Sequence, residues 1–337
     1  MTFEFRQQTD AVLTQFGLQR SAYTVDALGN AGGFSGARLW RVTAEREFCL
    51  RRWPTNYPDE TRLRFIHAVL EFAGMQVPFV PRLQRAAAGE TAVRHEEHLW
   101  ELTTWLPGTA DFHAKPSVTR LRAALQALAQ VHLALEHFPT RMTGVAVSPG
   151  IGERLQRLAE LMELVPTLRQ RLSQAPAELR ARGTPIVAWF ERMAPQVRTP
   201  LLLAAPIGVP LQPCLRDVWH DHVLFREDEV TGIVDFDAVR VETVAGDVAR
   251  LLGSLVGDDP VARQAGLAAY EGLRLLSDDE RQLVEVFDRS TLLMSGMNWL
   301  VWLLIDGRQF EDLPRVYQRL DELLGRMDDA PGQIELA

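Results

Sequence analysis

Residues 215–225 read Leu215-Arg216-Asp217-Val218-Trp219-His220-Asp221-His222-Val223-Leu224-Phe225, and residues 231–237 read Thr231-Gly232-Ile233-Val234-Asp235-Phe236-Asp237. Short apolar runs on both sides of a polar turn predict a β-hairpin. Asp217 then lies on the loop that enters the hairpin, and Asp235 lies at its exit. Two acids in these positions suit phosphoryl transfer, in which one carboxylate accepts a proton from the attacking hydroxyl and the other holds a metal on the nucleotide phosphates.

Several ionisable side chains crowd around this predicted hairpin, and such crowding is costly unless the groups pair or bind something. Zinc is one alternative, because His220 and His222 offer two imidazoles and Asp235 offers a carboxylate. No third histidine or cysteine has a useful spacing. An ordinary surface hairpin with solvated acids is the other alternative.

The composition is that of a globular protein with a large core: 337 residues, of which 47% are apolar and 24% are charged. The net charge of −8 favours neither nucleic acid nor an anionic membrane surface as a partner. Lys115 is the sole lysine. A cation on bound phosphates is therefore expected to be an arginine.

The cellular location is predicted to be cytoplasmic. The first residues are polar and lack the apolar core of a signal peptide. Cys49 and Cys214 lie far apart, with no metal or redox spacing, which favours two incidental buried thiols. The uncharged run at residues 290–305 is too short for a comfortable membrane span and predicts a buried helix.

Strand-like and helix-like patterns are segregated along the chain, which predicts an α+β fold. Residues 1–107 are rich in strand patterns and are expected to form a nucleotide-binding region. Residues 108–337 are mainly helical, apart from a small β segment at 214–237, and are expected to hold the catalytic loop and the acceptor site.

A glycine-rich loop lies between two predicted strands and contains Gly29, Gly32, Gly33, Ser35 and Gly36. Glycines let backbone N–H groups approach phosphate oxygens, although a simple hairpin turn has the same composition. The next strand carries Arg51 and Arg52, which alternation places on opposite faces. One of them can then point at phosphates while the other faces solvent, and two exposed strand arginines are the alternative.

Taken in order, these segments resemble the aminoglycoside phosphotransferase and choline kinase-like superfamily, which has a protein-kinase-like fold with a β-rich N-terminal lobe and a mainly helical C-terminal lobe. The loop motif of that superfamily is H-G-D-x-x-x-x-N. In this chain the corresponding residues are Leu215-Arg216-Asp217, four further residues and His222, while Val234-Asp235-Phe236 corresponds to the metal motif. Five other segments occur in the superfamily's order: the glycine loop, the strand around Arg51, the segment from Glu101 to Gly108, a helix ending at His132, and Asp247-Val248-Ala249.

The resemblance implies an ATP-dependent phosphotransferase that acts on a hydroxyl. Asp217 would be the catalytic base, and Asp235 with His222 would hold Mg²⁺ or Mn²⁺. Asp247 would brace the catalytic loop. Nucleotide contacts would come from a set of residues in the N-terminal region: Gly32, Gly33, Ser35, Gly36, Arg51, Glu101, Thr103 and Thr104.

The chain departs from the superfamily pattern at three places. Leu215 and Arg216 replace the histidine and glycine before the catalytic aspartate, and His222 replaces a metal-holding asparagine. The helix after Arg51 has no clear glutamate to pair with it, and Glu60 is the one acid on the expected face. A kinase-fold module that binds a nucleotide or a partner without turnover is therefore an alternative function.

The acceptor is not identified by the sequence. Trp299 and Trp302 share one face of a predicted helix in the acceptor region. An amine-bearing acceptor could sit against these rings, and two core tryptophans are the alternative.

Overall fold

The protein is described by a computed structural model that covers residues 3–29, 36–140, 144–310 and 312–329. The chain folds into two compact units. The first unit contains the chain up to Asp111 together with Asp221–Val239, and the second contains Phe112–His220 and the chain from Arg240 onward.

The strands and helices of the described residues have the following bounds. The strands are β1 (Thr24–Gly29), β2 (Arg38–Thr43), β3 (Glu47–Arg52), β4 (Val93–His95), β5 (His98–Thr104), β6 (Gly144–Val147), β7 (Gly208–Cys214), β8 (Val223–Arg226), β9 (Glu229–Ile233) and β10 (Arg240–Glu242). The helices are α1 (Phe3–Gln15), α2 (Glu60–Gly74), α3 (Val118–Leu135), α4 (Pro149–Gln174), α5 (Ala177–Ala204), α6 (Ala245–Val256), α7 (Pro260–Glu271), α8 (Asp278–Leu304) and α9 (Leu313–Asp329).

An antiparallel sheet in the order β1-β2-β3-β5-β4 forms the centre of the first unit. Alternate residues of β2 and β3 are buried, as expected for strands with one face on a core. Helix α2 begins where Asp59 accepts a hydrogen bond from the backbone N–H of Arg62, which satisfies one of the helix's free N-terminal donors.

The predicted hairpin is present as β8 and β9, which pair from Val223–Ile233 to Arg226–Glu229. It groups with the first unit because Thr109 and Phe225 exchange two backbone hydrogen bonds and Ile233 donates another to Phe79. The boundary at residue 107 that we expect from the sequence assigns this hairpin to the helical region, whereas the structure groups it with the first unit.

The second unit is mainly helical and contains a three-stranded antiparallel sheet in the order β10-β7-β6. Helix α8 begins with a capping box, in which Ser277 and Glu280 satisfy each other's backbone N–H groups. The β-sheet in the N-terminal region and the helices in the C-terminal region confirm the predicted α+β class.

No helix within the described residues combines the length and the low polarity that crossing a membrane would need. Cys214 is buried and Cys49 is partly buried, and both are free thiols. Burial raises the pKa of the Cys49 thiol to about 11, against a smaller opposite effect of Arg51. Burial raises the pKa of the Cys214 thiol as well, so both cysteines are poor nucleophiles at neutral pH, since the thiolate is the reactive form.

Candidate active site

In the first unit, the guanidinium of Arg51 lies among three carboxylates. Nη1 of Arg51 donates to Oδ1 of Asp237 and lies 3.7 Å from Oδ1 of Asp235, while Nε lies 3.7 Å from Oε1 of Glu101. The Arg51 side chain is 15% exposed. Burial lowers the pKa of Arg51, but the three carboxylates outweigh it and raise that pKa above its ordinary value. Arg51 is thus a permanent cation beside the predicted metal ligand.

The neighbouring Arg52 has different surroundings, because adjacent strand residues face opposite ways. Its guanidinium lies 5.8 Å from the ring centroid of Trp100. Burial and the nearby Arg38 lower its pKa. Of the two strand arginines, Arg51 is the one that faces the acids around the exit of the hairpin.

Asp235 and Asp237 are neighbouring acids in unlike electrostatic environments. Burial opposes ionisation of Asp235, but Arg51 and His222 lower its pKa below the ordinary value. Burial and the Asp235 carboxylate raise the pKa of Asp237, against the opposite effect of Arg51. Asp235 has a φ of +66°, a left-handed backbone that few non-glycine residues adopt, so its orientation is imposed by its surroundings.

His222 lies beside Asp235, with 3.5 Å between Nε2 and Oδ2. Its carbonyl oxygen accepts a hydrogen bond from the backbone N–H of Val234, which ties the two ends of the hairpin together. Carboxylate oxygens of Asp235 and Asp237 are the donors that Mg²⁺ prefers, whereas an imidazole nitrogen suits Mn²⁺ better. The two acids therefore offer the donor type of a divalent metal site, and His222 is the one member of the set whose donor suits Mg²⁺ poorly.

Glu101 connects Arg51 with helix α2. Its Oε2 accepts hydrogen bonds from Nε1 of Trp53 at 3.0 Å and from Nε2 of His67 at 2.7 Å. Burial opposes its ionisation, but His67, Arg51 and Trp53 lower its pKa below the ordinary value. Glu60, the one acid on the expected face of the helix, binds Arg94 at 2.8 Å and is not among the carboxylates around Arg51.

The remaining predicted nucleotide contacts lie in two places. Thr103 and Thr104 end β5, and Oγ1 of Thr104 accepts a hydrogen bond from the backbone N–H of Arg82. Gly36 has a φ of +81°, which glycine adopts without strain. Gly32, Gly33 and Ser35 lie outside the described residues. The roles proposed for this set remain predictions.

In the second unit, the carboxylate of Asp247 fixes the loop that carries Asp217. It accepts hydrogen bonds from the backbone N–H groups of Leu215 at 2.7 Å and Arg216 at 2.6 Å, and from Nε2 of His132 at 3.1 Å. Arg216 has a φ of +66°, in the left-handed region that glycine favours. The bracing contact predicted for Asp247 is confirmed, and it holds an arginine in the conformation where the superfamily motif has glycine.

Asp217 itself is half exposed and pairs with an arginine that the sequence interpretation did not identify. Nη2 of Arg250 donates to Oδ1 of Asp217 at 2.8 Å. Arg250 lies three positions after Asp247 on α6, hence on the same helical face. That spacing is the signal that could have identified it.

The alternative metal and amine sites predicted from the sequence are not supported. Within the described chain, the cluster with metal-ligand spacing is His132, Cys214 and Asp247. Each of these side chains already has hydrogen-bond partners, including Tyr270 for His132 and the Glu242 carbonyl for Cys214. A zinc site at His220, His222 and Asp235 is not among the clusters found in the described residues.

The two tryptophans proposed for an amine acceptor pack within the protein. Trp299 is buried, and its ring stacks edge-on to Trp302 with centroids 5.0 Å apart. The guanidinium of Arg308 lies over the Trp302 ring at 4.9 Å. A cation of the chain itself therefore occupies the position that an amine would take.

Comparisons with known proteins agree with this arrangement. The model of the phosphotransferase enzyme family, known by the abbreviation APH, matches residues 26–285. A homoserine kinase from Mesorhizobium japonicum is 27% identical over 201 residues, and the match covers 57% of this chain and 56% of that kinase. The chain thus matches little more than half the length of that curated relative.

Solved structures show the same fold at low sequence identity. An aminoglycoside phosphotransferase from Alicyclobacillus acidocaldarius is 18% identical with a TM-score of 0.61, over 95% of this chain and 92% of that one. A spectinomycin phosphotransferase solved with ADP and spectinomycin is 13% identical with a TM-score of 0.61, over 97% and 95% of the two chains. An amicoumacin kinase solved with AMP-PNP, Ca²⁺ and Ami is 13% identical with a TM-score of 0.60, over 99% of this chain and 98% of that one.

The family match spans well over half of the chain, and the fold agrees with it. The chain therefore belongs to the phosphotransferase enzyme family known as APH.

Proposed function

We propose that this protein transfers the γ-phosphate of ATP to a hydroxyl group of a small molecule. The observation that carries the proposal is the position of Asp217 on a loop whose backbone is fixed by Asp247. A general base must be held at a defined position to accept a proton from its substrate. Two backbone hydrogen bonds to one buried carboxylate supply that restraint.

Asp217 is assigned the role of catalytic base. Its carboxylate is half exposed and can accept the proton of an acceptor hydroxyl. Arg250 is assigned a positioning role, since its contact with Asp217 limits where the carboxylate can point.

Arg51 is assigned to the nucleotide phosphates, because it is the buried cation beside the proposed metal ligands. Glu101 would act by holding Arg51, while Thr103 and Thr104 would contact the base of the nucleotide. Asp235 would bind Mg²⁺ or Mn²⁺, with His222 and Asp237 beside it. A divalent metal bound there would neutralise charge on the phosphates during transfer.

The test is release of ADP with Mg²⁺ or Mn²⁺ and a panel of small hydroxyl acceptors, including homoserine because one relative is named a homoserine kinase. Asp217→Asn is expected to lower kcat by about 10³-fold, which is within the range for loss of a general base. Asp228→Asn is the matched control, since Asp228 lies on the exposed turn of the hairpin.

The second candidate, a nucleotide-binding module without turnover, rests on His222 and is not favoured by the kinases among the relatives. A thermal shift with ATP and metal but no ADP release with any acceptor would support it. Equal activities of the wild type and Asp217→Asn would contradict the proposed role of Asp217.

A further inference from the structure

An open cavity of about 130 Å³ lies beside Asp217, within the second unit. A cavity of about 150 Å³ in another protein admits benzene, so this one accepts a small group of on the order of six non-hydrogen atoms. Its lining includes three arginines and few apolar side chains: Arg154, Arg216, Asp217, Arg250, Phe287 and Thr291.

Two acids of the cavity wall are already engaged by neutral donors. Glu242 accepts hydrogen bonds from the Ser148 hydroxyl at 2.5 Å and from the backbone N–H of Gly150 at 2.6 Å. Asp247 is held by the catalytic loop and His132, as described above. These carboxylates are therefore occupied in holding the backbone around the cavity.

Arg154 differs from the other two arginines of the cavity. Its guanidinium donates to the hydroxyls of Ser290 at 3.0 Å and Thr291 at 3.3 Å, and lies over the Phe287 ring at 4.4 Å. None of the ion pairs found among the described residues includes Arg154. Burial, and to a smaller extent Arg216, lower its pKa to about 10, so it still carries a full charge at neutral pH.

The other arginines each have an acidic partner. Arg216 pairs with Glu153 at 2.5 Å, and Arg250 pairs with Asp217 at 2.8 Å. Arg154 is thus a partly buried cation whose hydrogen bonds go to neutral oxygens and whose guanidinium lies over an aromatic face, while Glu242 and Glu153 raise its pKa from a longer distance without forming an ion pair with it. Such a charge is costly to bury unless a counter-ion completes the site.

We propose that the acceptor of this phosphotransferase is a small hydroxy acid whose carboxylate binds Arg154. The inference rests on the proposed function, because it assigns the substrate class of the same site. Arginine suits this role, since its planar fork can donate two parallel hydrogen bonds to one carboxylate. Binding at Arg154 would leave the hydroxyl of the acceptor in the cavity that Asp217 also lines.

The transfer step leaves the carboxylate unchanged. Asp217 accepts the hydroxyl proton as the acceptor oxygen forms a bond to the γ-phosphorus of ATP. The bond from that phosphorus to the bridging oxygen breaks, and ADP leaves with the electron pair. Arg154 contributes by binding and orientation, so it is a substrate-binding residue and takes no part in the proton transfer.

The experiment compares acceptors that differ in one charged group. The probes are homoserine and γ-hydroxybutyrate, the amide of each, and an amino alcohol of the same length. ADP release is expected to give a kcat/KM for the acids about 100-fold above that for the amides, because the carboxylate is lost. Amino alcohols should be poorer still, since they place a cation against Arg154.

Arg154→Met is expected to lower kcat/KM for the acids by about 100-fold, chiefly through KM, which corresponds to about 2.7 kcal/mol. Nucleotide affinity should not change. Arg154→Lys should recover part of the loss, and thermal melts establish that each variant is folded. Arg157→Met is the matched control, because Arg157 lies one turn further along α4 and binds Asn298 and Glu160 outside the cavity.

The outcomes separate this inference from the proposed function. Turnover of amides or amino alcohols as fast as the acids, or an unchanged KM in Arg154→Met, would overturn the inference while leaving a kinase. Acids that raise the melting temperature through Arg154 but are not phosphorylated would support the carboxylate site and contradict the kinase. If the acids neither bind nor react, the inference is overturned.

Discussion

Arg250 donates a hydrogen bond from Nη2 to Oδ1 of Asp217 over 2.8 Å, and this pair joins helix α6 to the loop before the hairpin. The two side chains are 26% and 50% exposed. An ion pair with that much solvent is worth at most about 1 kcal/mol to stability. Its value to the protein is therefore the restraint that it places on the proposed base.

Arg250→Met is expected to lower kcat by about tenfold, because the Asp217 carboxylate loses its restraint but keeps its ability to accept a proton. Asp217→Asn should lower kcat by about 10³-fold under the same conditions. Steady-state ADP release measures both. A loss in Arg250→Met as large as that in Asp217→Asn would show that Arg250 acts on the reacting groups directly.

Arg51→Met is expected to weaken ATP binding by about 100-fold, since the variant removes the charge proposed to contact the phosphates. It should also destabilise the protein by about 3 kcal/mol, because Asp235, Asp237 and Glu101 would lose their shared cation. Titration calorimetry and denaturant unfolding provide the two measurements. Arg52→Met is the control from the same strand, and equal effects of the two variants would contradict the assignment.

His222→Asn is expected to increase activity with Mg²⁺ relative to Mn²⁺. The substitution removes the imidazole, whose Nε2 lies 3.5 Å from Oδ2 of Asp235. It supplies an amide oxygen, the type of donor that Mg²⁺ prefers. The measurement is the metal concentration that gives half-maximal ADP release, with each metal. If the ratio of the two concentrations is unchanged, His222 does not contact the metal. Asp235→Ala should abolish the metal dependence in the range tested.

His132 is expected to make folding stability depend on pH. Burial lowers its folded-state pKa, against the opposite effect of Asp247, whereas an unfolded histidine titrates near pH 6.5. Below that pH the unfolded chain binds a proton that the folded chain does not. Stability from this group is therefore fully present above pH 6.5 and is lost as the pH falls, by up to about 2 kcal/mol at pH 5.

The measurement is the free energy of unfolding at pH 7.5 and pH 5 for the wild type and for His132→Gln. The variant should be less stable at pH 7.5, since it disturbs hydrogen bonds to Asp247 and Tyr270, but should lose less on acidification. His137→Gln, an exposed position just past α3, is the control. Parallel pH slopes for all three proteins would refute the assignment.

Much of the fold could be predicted because its signals are local. The hairpin at β8 and β9 follows from apolar runs beside a polar turn, and α2 follows from Asp59 and the spacing of Leu63, Ile66 and Val69. Strands β6, β7 and β10 carry weaker patterns. They form through pairing of segments far apart in the chain, which periodicity does not reveal.

The site was less predictable where it depends on tertiary pairing. The contacts of Arg51 come from β5 and from the exit of the hairpin, 186 positions away for Asp237. The left-handed backbone of Arg216 has no sequence signal, because arginine does not favour it. Arg154 stands out only when its hydrogen-bond partners are known to be neutral oxygens.

The hydrogen bonds from Leu215 and Arg216 to Asp247 have a consequence for how such proteins are recognised. The backbone of the catalytic loop is held by a side chain 31 positions beyond Arg216. The loop residues before Asp217 differ from the superfamily motif, and the distant carboxylate still binds their N–H groups. A search that requires a histidine and a glycine before the catalytic aspartate would miss chains of this kind, whereas one that pairs the aspartate with its remote acid would find them.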